Sequence, residues 1–197
     1  MRFALILSMA LTFFGAVEIL GAKVTSAVQL RDGKVYFKQP PRLLRAVTTF
    51  KNVNVWGATY YFTIKLPPNA GEPLQKVKIN QHEGLDRINF DLDDSFAFIG
   101  NTSNRGEKLS LDVTSDRKLK TVSLKFNPPV SPGETVTIAL KPNRNPGTEG
   151  IYLFGVTAFP RGDNPHGQFL GFGRFHFYGD GFGLRSYPLL VSKSASK

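Results

Sequence analysis

The chain has no cysteine among its 197 residues. This absence excludes disulfide bonds, a thiol nucleophile, iron–sulfur clusters and zinc sites built on thiolates. It also excludes an anchor through a lipid-modified N-terminal cysteine. A domain without such links depends on its apolar core, and 41% hydrophobic residues with 17 phenylalanines are enough to form one.

Acidic residues are few relative to basic ones, 15 against 25, which gives a formal net charge of +10. Such an excess favours anionic partners. Because the N-terminus predicts export, as argued next, we expect an anionic polysaccharide or an envelope protein as the partner, and no nucleic acid. The alternative is that the charge only keeps the protein soluble, since the Lys and Arg residues are spread along the chain.

The longest hydrophobic run is residues 3–17, which follow Arg2 and end before Glu18. A positive start, an apolar run and small residues near Ala27 are typical of a secretory signal peptide. We therefore predict a signal peptide over residues 1–27, cleaved after Ala27. The run is shorter than the ~20 apolar residues of a membrane span, so no stable span is expected in the mature protein. The expected location is the periplasm, the cell envelope or the exterior.

Helical periodicity is missing from the rest of the chain, where apolar and polar residues alternate with a period of two. The alternation runs over 58–66, 76–79, 121–126 and 135–140, with Pro- and Gly-rich turns between the runs. This pattern predicts an all-β fold, an immunoglobulin-like antiparallel β-sandwich of about seven to nine strands. A closed barrel is the alternative. We place the sandwich at 41–180, after a lead-in at 28–40 and before a flexible tail at 181–197.

Two further segments are rich in aromatic residues. Residues 151–159 are apolar on both faces, which predicts a central strand covered on both sides. Residues 168–178 form a second strand, in which one face is expected to carry Phe169, Gly171, Gly173, Phe175 and Phe177. Glycines inside a strand indicate a bulge or a close approach of another backbone.

Five motifs occur in order: GATYYFTI (57–64), AGEPL (70–74), FDLDD (90–94), GIYLFGVTAFP (150–160) and LGFGRFHFY (170–178). Together they resemble a family of exported cyanobacterial proteins that carry a domain of unknown function, over about residues 41–178. The resemblance implies a protein of the cyanobacterial envelope or periplasm. It implies no activity, because it brings no catalytic or binding residues with it.

The densest acidic cluster is Asp91, Asp93 and Asp94. Alternate carboxylates on one strand face supply the oxygen ligands that calcium prefers. We therefore predict a calcium site at these three residues, and no other cofactor. The alternative is a plain strand in which Phe90 and Leu92 point inward and the aspartates meet solvent.

Trp56 is the only tryptophan and precedes a predicted strand that contains Tyr60 and Tyr61. Because adjacent strand residues face opposite sides, one of the two tyrosines belongs to the core. An exposed aromatic ring suits a sugar ring, while nearby Lys and Arg suit acidic groups. We predict Trp56 and Tyr61 as ligand-binding residues, with simple packing as the alternative.

Catalytic motifs are missing: the chain has neither a Gly-x-Ser-x-Gly elbow nor a phosphate-binding glycine loop. Its three histidines do not stand at metal-ligand spacings. The favoured function is therefore an exported, non-catalytic binding module for an anionic envelope component. The alternatives are a hydrolase acting on envelope glycans and a structural or assembly factor that pairs through a sheet edge.

Overall fold

The structure is a computed structural model that describes residues 28–29 and 33–179. The predicted signal peptide at 1–27 and the predicted tail at 181–197 lie outside the described residues. All regular elements of the described ranges are β-strands. Within those ranges there is no helix of the length and apolarity that crossing a bilayer takes.

Twelve strands occur in the described residues: β1 (Val28–Gln29), β2 (Val35–Tyr36), β3 (Arg42–Thr48), β4 (Tyr60–Lys65), β5 (Leu74–Glu83), β6 (Phe90–Gly100), β7 (Arg105–Leu109), β8 (Leu111–Asp116), β9 (Thr121–Val130), β10 (Thr135–Pro142), β11 (Gly150–Pro160) and β12 (Gln168–Phe177). The first sheet has the order β3-β4-β10-β6-β7 and the second sheet β12-β11-β5-β9-β8. Both are antiparallel throughout. Strands β1 and β2 form a separate two-stranded ribbon.

Two stacked antiparallel sheets confirm the predicted β-sandwich. The expected number of strands was too low, because the two sheets together hold ten. The alternation missed β3, β7 and β8, which are edge strands with mostly exposed or half-buried residues. An edge strand buries little of its surface, so its sequence carries a weak apolar pattern.

The core lies between the sheets and is built from aromatic rings. Tyr60 and Phe62 of the first sheet are fully buried, as are Phe154 and Phe177 of the second. The Tyr60 ring stacks on Phe175 with centroids 4.9 Å apart. Each such side chain contributes roughly 1.5–3 kcal/mol through removal of apolar surface from water. The aromatic core therefore stabilises the fold without disulfide bonds.

Strand β11 differs from its prediction. It is an inner strand of the second sheet, but only its inward face lies in the core. Outward-facing Leu153, Thr157 and Phe159 are half-buried. The continuous apolar run therefore reflects one core face and one partly exposed face.

Strand β12 carries the bulge that its glycines predicted, and one of the glycines packs closely against side chains of the first sheet. Its register against β11 shifts between Val156 and Thr157, which marks a bulge. The bulge turns Phe169 to the outer face, where it is 49% exposed, so the expected common face with Phe175 was wrong. Gly173 faces the core, where a Cβ would lie 2.7 Å from the Cβ of Ala46. That close approach requires glycine.

Candidate functional site

One end of the sandwich gathers four connections between strands, at residues 49–59, 84–89, 117–120 and 143–149. They enclose two neighbouring clefts. The first is lined mainly by Trp56, Asp86, Arg87, Asn89, Asn143 and Arg144. The second adds Ser115, Asp116, Arg117, Lys120 and Thr121. Arg87, Asn89 and Asn143 line both clefts, and we call the combined surface the end groove.

Trp56 stands at the rim of the end groove and is 69% exposed. The guanidinium carbon of Arg144 lies 5.7 Å from the centroid of its ring. A cation at this distance over an indole face is attracted by the ring quadrupole. The pair thus presents an aromatic surface and a positive charge side by side.

Asn145 holds the two loops that carry Trp56 and Arg144. Its side chain is buried and donates to the carbonyl oxygens of Phe50 (3.1 Å) and Asn52 (2.9 Å). Its Oδ1 accepts a hydrogen bond from the hydroxyl of Tyr60 at 2.9 Å. Burial, and to a lesser degree Tyr152, raises the pKa of Tyr60, which therefore stays a protonated donor. The rim of the groove is tied directly to the core.

A second buried amide shapes the loop that carries Arg87. The Nε2 of Gln81 donates to the carbonyl of Asp86 at 2.6 Å, and its Oε1 accepts from the backbone N–H of Ile88 at 2.9 Å. Tyr152 donates from its hydroxyl to the carbonyl of Thr148 at 2.9 Å. These bonds satisfy loop backbone groups that would otherwise be buried unpaired. The groove is therefore preorganised.

The end groove carries four cations, Arg87, Arg117, Lys120 and Arg144. Arg87 donates to the carbonyl of Arg117, which joins the two clefts. Two carboxylates, Asp86 and Asp116, line the groove, and both accept hydrogen bonds from groups of the neighbouring loops. Asp86 accepts hydrogen bonds from the N–H (2.7 Å) and hydroxyl (3.1 Å) of Thr148. Asp116 accepts from the N–H of Leu119 at 3.0 Å.

The aspartate cluster lies elsewhere, in strand β6. The Oδ1 of Asp91 accepts hydrogen bonds from the backbone N–H groups of Asp93 (3.1 Å) and Asp94 (3.2 Å). These bonds cap a bulge, where the register of β6 against β10 shifts. In the chain as described, no group of three or more His, Asp or Glu side chains is placed to hold a metal ion. The calcium site stays a prediction.

Tyr61 and Trp56 lie apart, on different surfaces. Tyr60 is fully buried, so Tyr61 is the tyrosine that faces away from the core, as expected for one of the two. The hydroxyl of Tyr61 accepts a hydrogen bond from Arg105 at 3.1 Å on the outer face of the first sheet. Its role in ligand binding stays a prediction, separate from the end groove.

Sequence reasoning missed Arg87, Arg144 and Asn145. The local sequence of residues 143–147 indicates only a turn, because Asn, Pro and Gly are typical of turns. A polar loop with an arginine between two asparagines is the signal that was available. Its contact with Trp56 depends on folding and has no local pattern.

The fold and this surface define a class: a β-sandwich domain with a basic groove built on the loops at one end. The chain belongs to the family described as "Protein of unknown function (DUF2808)", whose sequence model matches residues 34–177. This confirms the domain of unknown function that the five motifs implied. No curated protein matches the chain.

Solved structures of similar fold include a collagen-binding domain from a Staphylococcus aureus adhesin. It is 9% identical, with a TM-score of 0.37, over 68% of this chain and 97% of that chain. A C-terminal fragment of the major pilin GBS80 of Streptococcus agalactiae is 14% identical, with a TM-score of 0.39, over 70% and 56%. This chain thus spans little more than half of the pilin fragment. At these values the likeness carries no argument about function.

Proposed function

We propose that the protein is an exported, non-catalytic binding module of the cell envelope whose end groove binds an acidic polysaccharide. The observation that carries the proposal is the pair of Trp56 and Arg144, 5.7 Å apart at the rim of a preorganised cationic groove. The predicted signal peptide supports a location outside the cytoplasm.

The chemistry of the groove suits a charged sugar chain. The apolar face of a sugar ring packs on an exposed indole, and Trp56 exposes 69% of its surface. A guanidinium binds a carboxylate or sulfate group through two parallel hydrogen bonds. Arg144 would meet the acidic group of a residue stacked on Trp56.

The length of the groove favours a chain over a single small anion. The two clefts share Arg87, Asn89 and Asn143 as a common wall. Successive acidic residues of a polymer would meet Arg144, then Arg87, then Lys120. The amides of Asn89 and Asn143 supply donors and acceptors for sugar hydroxyls.

Two observations weigh against the alternatives. A glycan hydrolase needs a pair of carboxylates free to act on the substrate, whereas Asp86 and Asp116 hold loop backbone. An assembly factor needs a long uncovered edge, whereas the edge strands β7 and β8 are short and carry charged residues. The other two edge strands, β3 and β12, lie against each other where Gly173 meets Ala46. Charged, short edges oppose strand addition.

Affinity electrophoresis in gels that contain a polyuronate tests the proposal, with a neutral glucan gel as reference. The polyuronate is expected to retard the wild-type chain, and Trp56→Ala and Arg144→Gln to abolish most of the retardation. Arg45→Gln, an equal charge change at an exposed position of β3, is the matched control. Equal retardation of all four proteins would overturn the proposal.

A further inference from the structure

The outer face of the second sheet carries a lysine cluster. Lys76 of β5 lies opposite Lys125 of β9 in the strand register, and Lys78 follows two residues along β5. The Nζ atoms of Lys76 and Lys78 lie 4.5 Å and 5.4 Å from the ring centroid of Phe159 in β11. Two ammonium groups therefore lie over one half-buried aromatic ring, and a third lysine lies opposite one of them on the next strand.

The lysine cluster forms no salt bridge within the described part of the chain. No ion pair joins any of these lysines to a carboxylate there, although Asp112 of β8 lies opposite Lys125 in the register. Burial, together with Lys78 and Lys125, lowers the pKa of Lys76. Like charges on facing strands destabilise a sheet. The arrangement opposes folding and favours an anionic partner.

Two exposed phenylalanines extend the same face. Phe169 and Phe172 of β12 are 49% and 46% exposed, with ring centroids 5.1 Å apart and planes 70° apart. The His82 ring lies 5.0 Å from Phe172. On β11, Gly155 lies between Phe172 and Asn80 in the register, and the side chains of Asn80 and Phe169 cover it. The face thus carries lysines on β5 and β9 and exposed phenyl rings on β12.

We propose that this lysine–phenylalanine face, formed by Lys76, Lys78, Lys125, Phe159, Phe169 and Phe172, docks on an anionic lipid surface. It lies on a face of the sandwich different from the end groove and does not depend on the polysaccharide proposal. Lysines on long apolar stems reach lipid phosphates while the stems cover apolar surface. Exposed phenylalanines insert among the headgroups.

A bilayer fits this face better than a polysaccharide does. A sugar ring stacks on a flat aromatic platform, whereas Phe169 and Phe172 meet edge to face and present a wedge. Phenyl rings also lack the polar groups that would bind sugar hydroxyls. Lysines near an anionic membrane each strengthen binding about fivefold, so the three together correspond to on the order of 100-fold.

Co-sedimentation with phosphatidylglycerol vesicles tests the inference, with phosphatidylcholine vesicles as the neutral reference. Wild type is expected to bind the anionic vesicles selectively. The triple variant Lys76→Gln, Lys78→Gln, Lys125→Gln should bind roughly 100-fold more weakly, and Phe169→Ala with Phe172→Ala should also weaken binding. Because all variants share the same N-terminus, differences among them report on the face alone. Folding of each variant is checked by its thermal midpoint.

The matched control is Lys38→Gln, Lys51→Gln, Lys108→Gln, which removes the same charge from exposed positions elsewhere. An equal loss of binding in this control would mean that only net charge matters and would overturn the proposal. Wild-type binding by the phenylalanine variant would overturn it too. If the wild-type protein does not bind the anionic vesicles, the proposal is wrong. If, in addition, the triple lysine variant loses its retardation in the polyuronate gel, this face binds a polysaccharide instead.

Discussion

The Oδ1 of Asn145 accepts a hydrogen bond from the hydroxyl of Tyr60 at 2.9 Å, at a point where both side chains are buried. Tyr60 stacks on Phe175 in the middle of the core. The loop that carries Arg144 is therefore anchored on the aromatic rings that hold the two sheets together. A change at this contact affects both the free energy of unfolding and the shape of the end groove.

Replacing Asn145 should destabilise the protein strongly. Asn145→Ala removes the hydrogen bonds that its side chain makes with the Tyr60 hydroxyl and with the carbonyls of Phe50 and Asn52. We expect a loss of about 2–4 kcal/mol in the free energy of unfolding, measured by urea denaturation. Tyr60→Phe, which removes only one of the bonds, should cost about 1–2 kcal/mol. A loss below that of Tyr60→Phe would contradict the anchoring role.

Gly173→Ala should also destabilise the fold, for a steric reason. The added Cβ would lie 2.7 Å from Cβ of Ala46 and 2.8 Å from Cε1 of Phe62. Overpacking of this kind costs about 1–3 kcal/mol. In the double variant with Ala46→Gly, the loss should be smaller than the sum of the two single losses. Additive losses in denaturation curves would show that the two residues do not meet.

Asp91→Ala should lower the free energy of unfolding by about 1 kcal/mol, because the bulge in β6 loses its cap. Asp93→Ala should change it by less than about 0.5 kcal/mol, since the Asp93 side chain is exposed. Thermal and urea unfolding of both variants measure the difference. Equal effects would argue against the capping role.

The calcium prediction is tested with the same proteins. A calcium site at Asp91, Asp93 and Asp94 requires that calcium raise the thermal midpoint of wild type, that EDTA reverse the rise, and that Asp91→Ala abolish it. The capping role alone predicts the same midpoint with calcium and with EDTA. A thermal midpoint that is the same with calcium and with EDTA would contradict the calcium site.

Glu72 should make stability depend on pH. Its side chain is only 8% exposed, and burial raises its pKa, with Arg161 opposing the rise. The folded state thus binds the proton more tightly than the unfolded chain does. The stability that Glu72 contributes is complete below the unfolded pKa, about 4.3, and is lost as pH rises through the folded pKa.

Glu72→Gln should therefore be more stable than wild type at neutral pH, with a difference that shrinks below about pH 4. Urea midpoints between pH 3 and pH 7 measure this trend. Glu107→Gln, at an exposed position of β7, controls for the loss of one negative charge. A difference between Glu72→Gln and wild type that is the same at every pH would contradict the burial effect.

The inner strands could be predicted because their burial repeats along the chain. Ile64 and Ile138 belong to runs in which every second residue is apolar, and both face the core as that alternation predicts. Strand β12 shows the limit, since a bulge reverses the sides and sends Phe169 outward. The position of this bulge depends on how β12 pairs with β11. The glycines in the sequence show only that a bulge is sterically possible there.

Of the residues that line the end groove, the sequence pointed to Trp56 and to none of the four cations. Trp56 is a candidate from the sequence because it precedes a predicted strand with basic residues nearby, and an exposed aromatic ring suits a sugar ring. Arg144 and Asn145 come from a connection far along the chain, and only the stacking of the two sheets brings them to Trp56. Contacts between loops that are distant in the sequence depend on the order of strands in the sheets. The residue pattern of a single segment does not specify that order.

Fluorescence of the single tryptophan tests the central claim most directly, because Trp56 is the only one in the chain and lies in the end groove. Titration of the protein with acidic oligosaccharides should shift and quench its emission in a saturable manner. Arg144→Gln should weaken the response, and neutral oligosaccharides should leave the emission unchanged. An unchanged Trp56 spectrum in a protein that the polyuronate gel still retards would contradict the account, because the polymer would then bind outside the end groove.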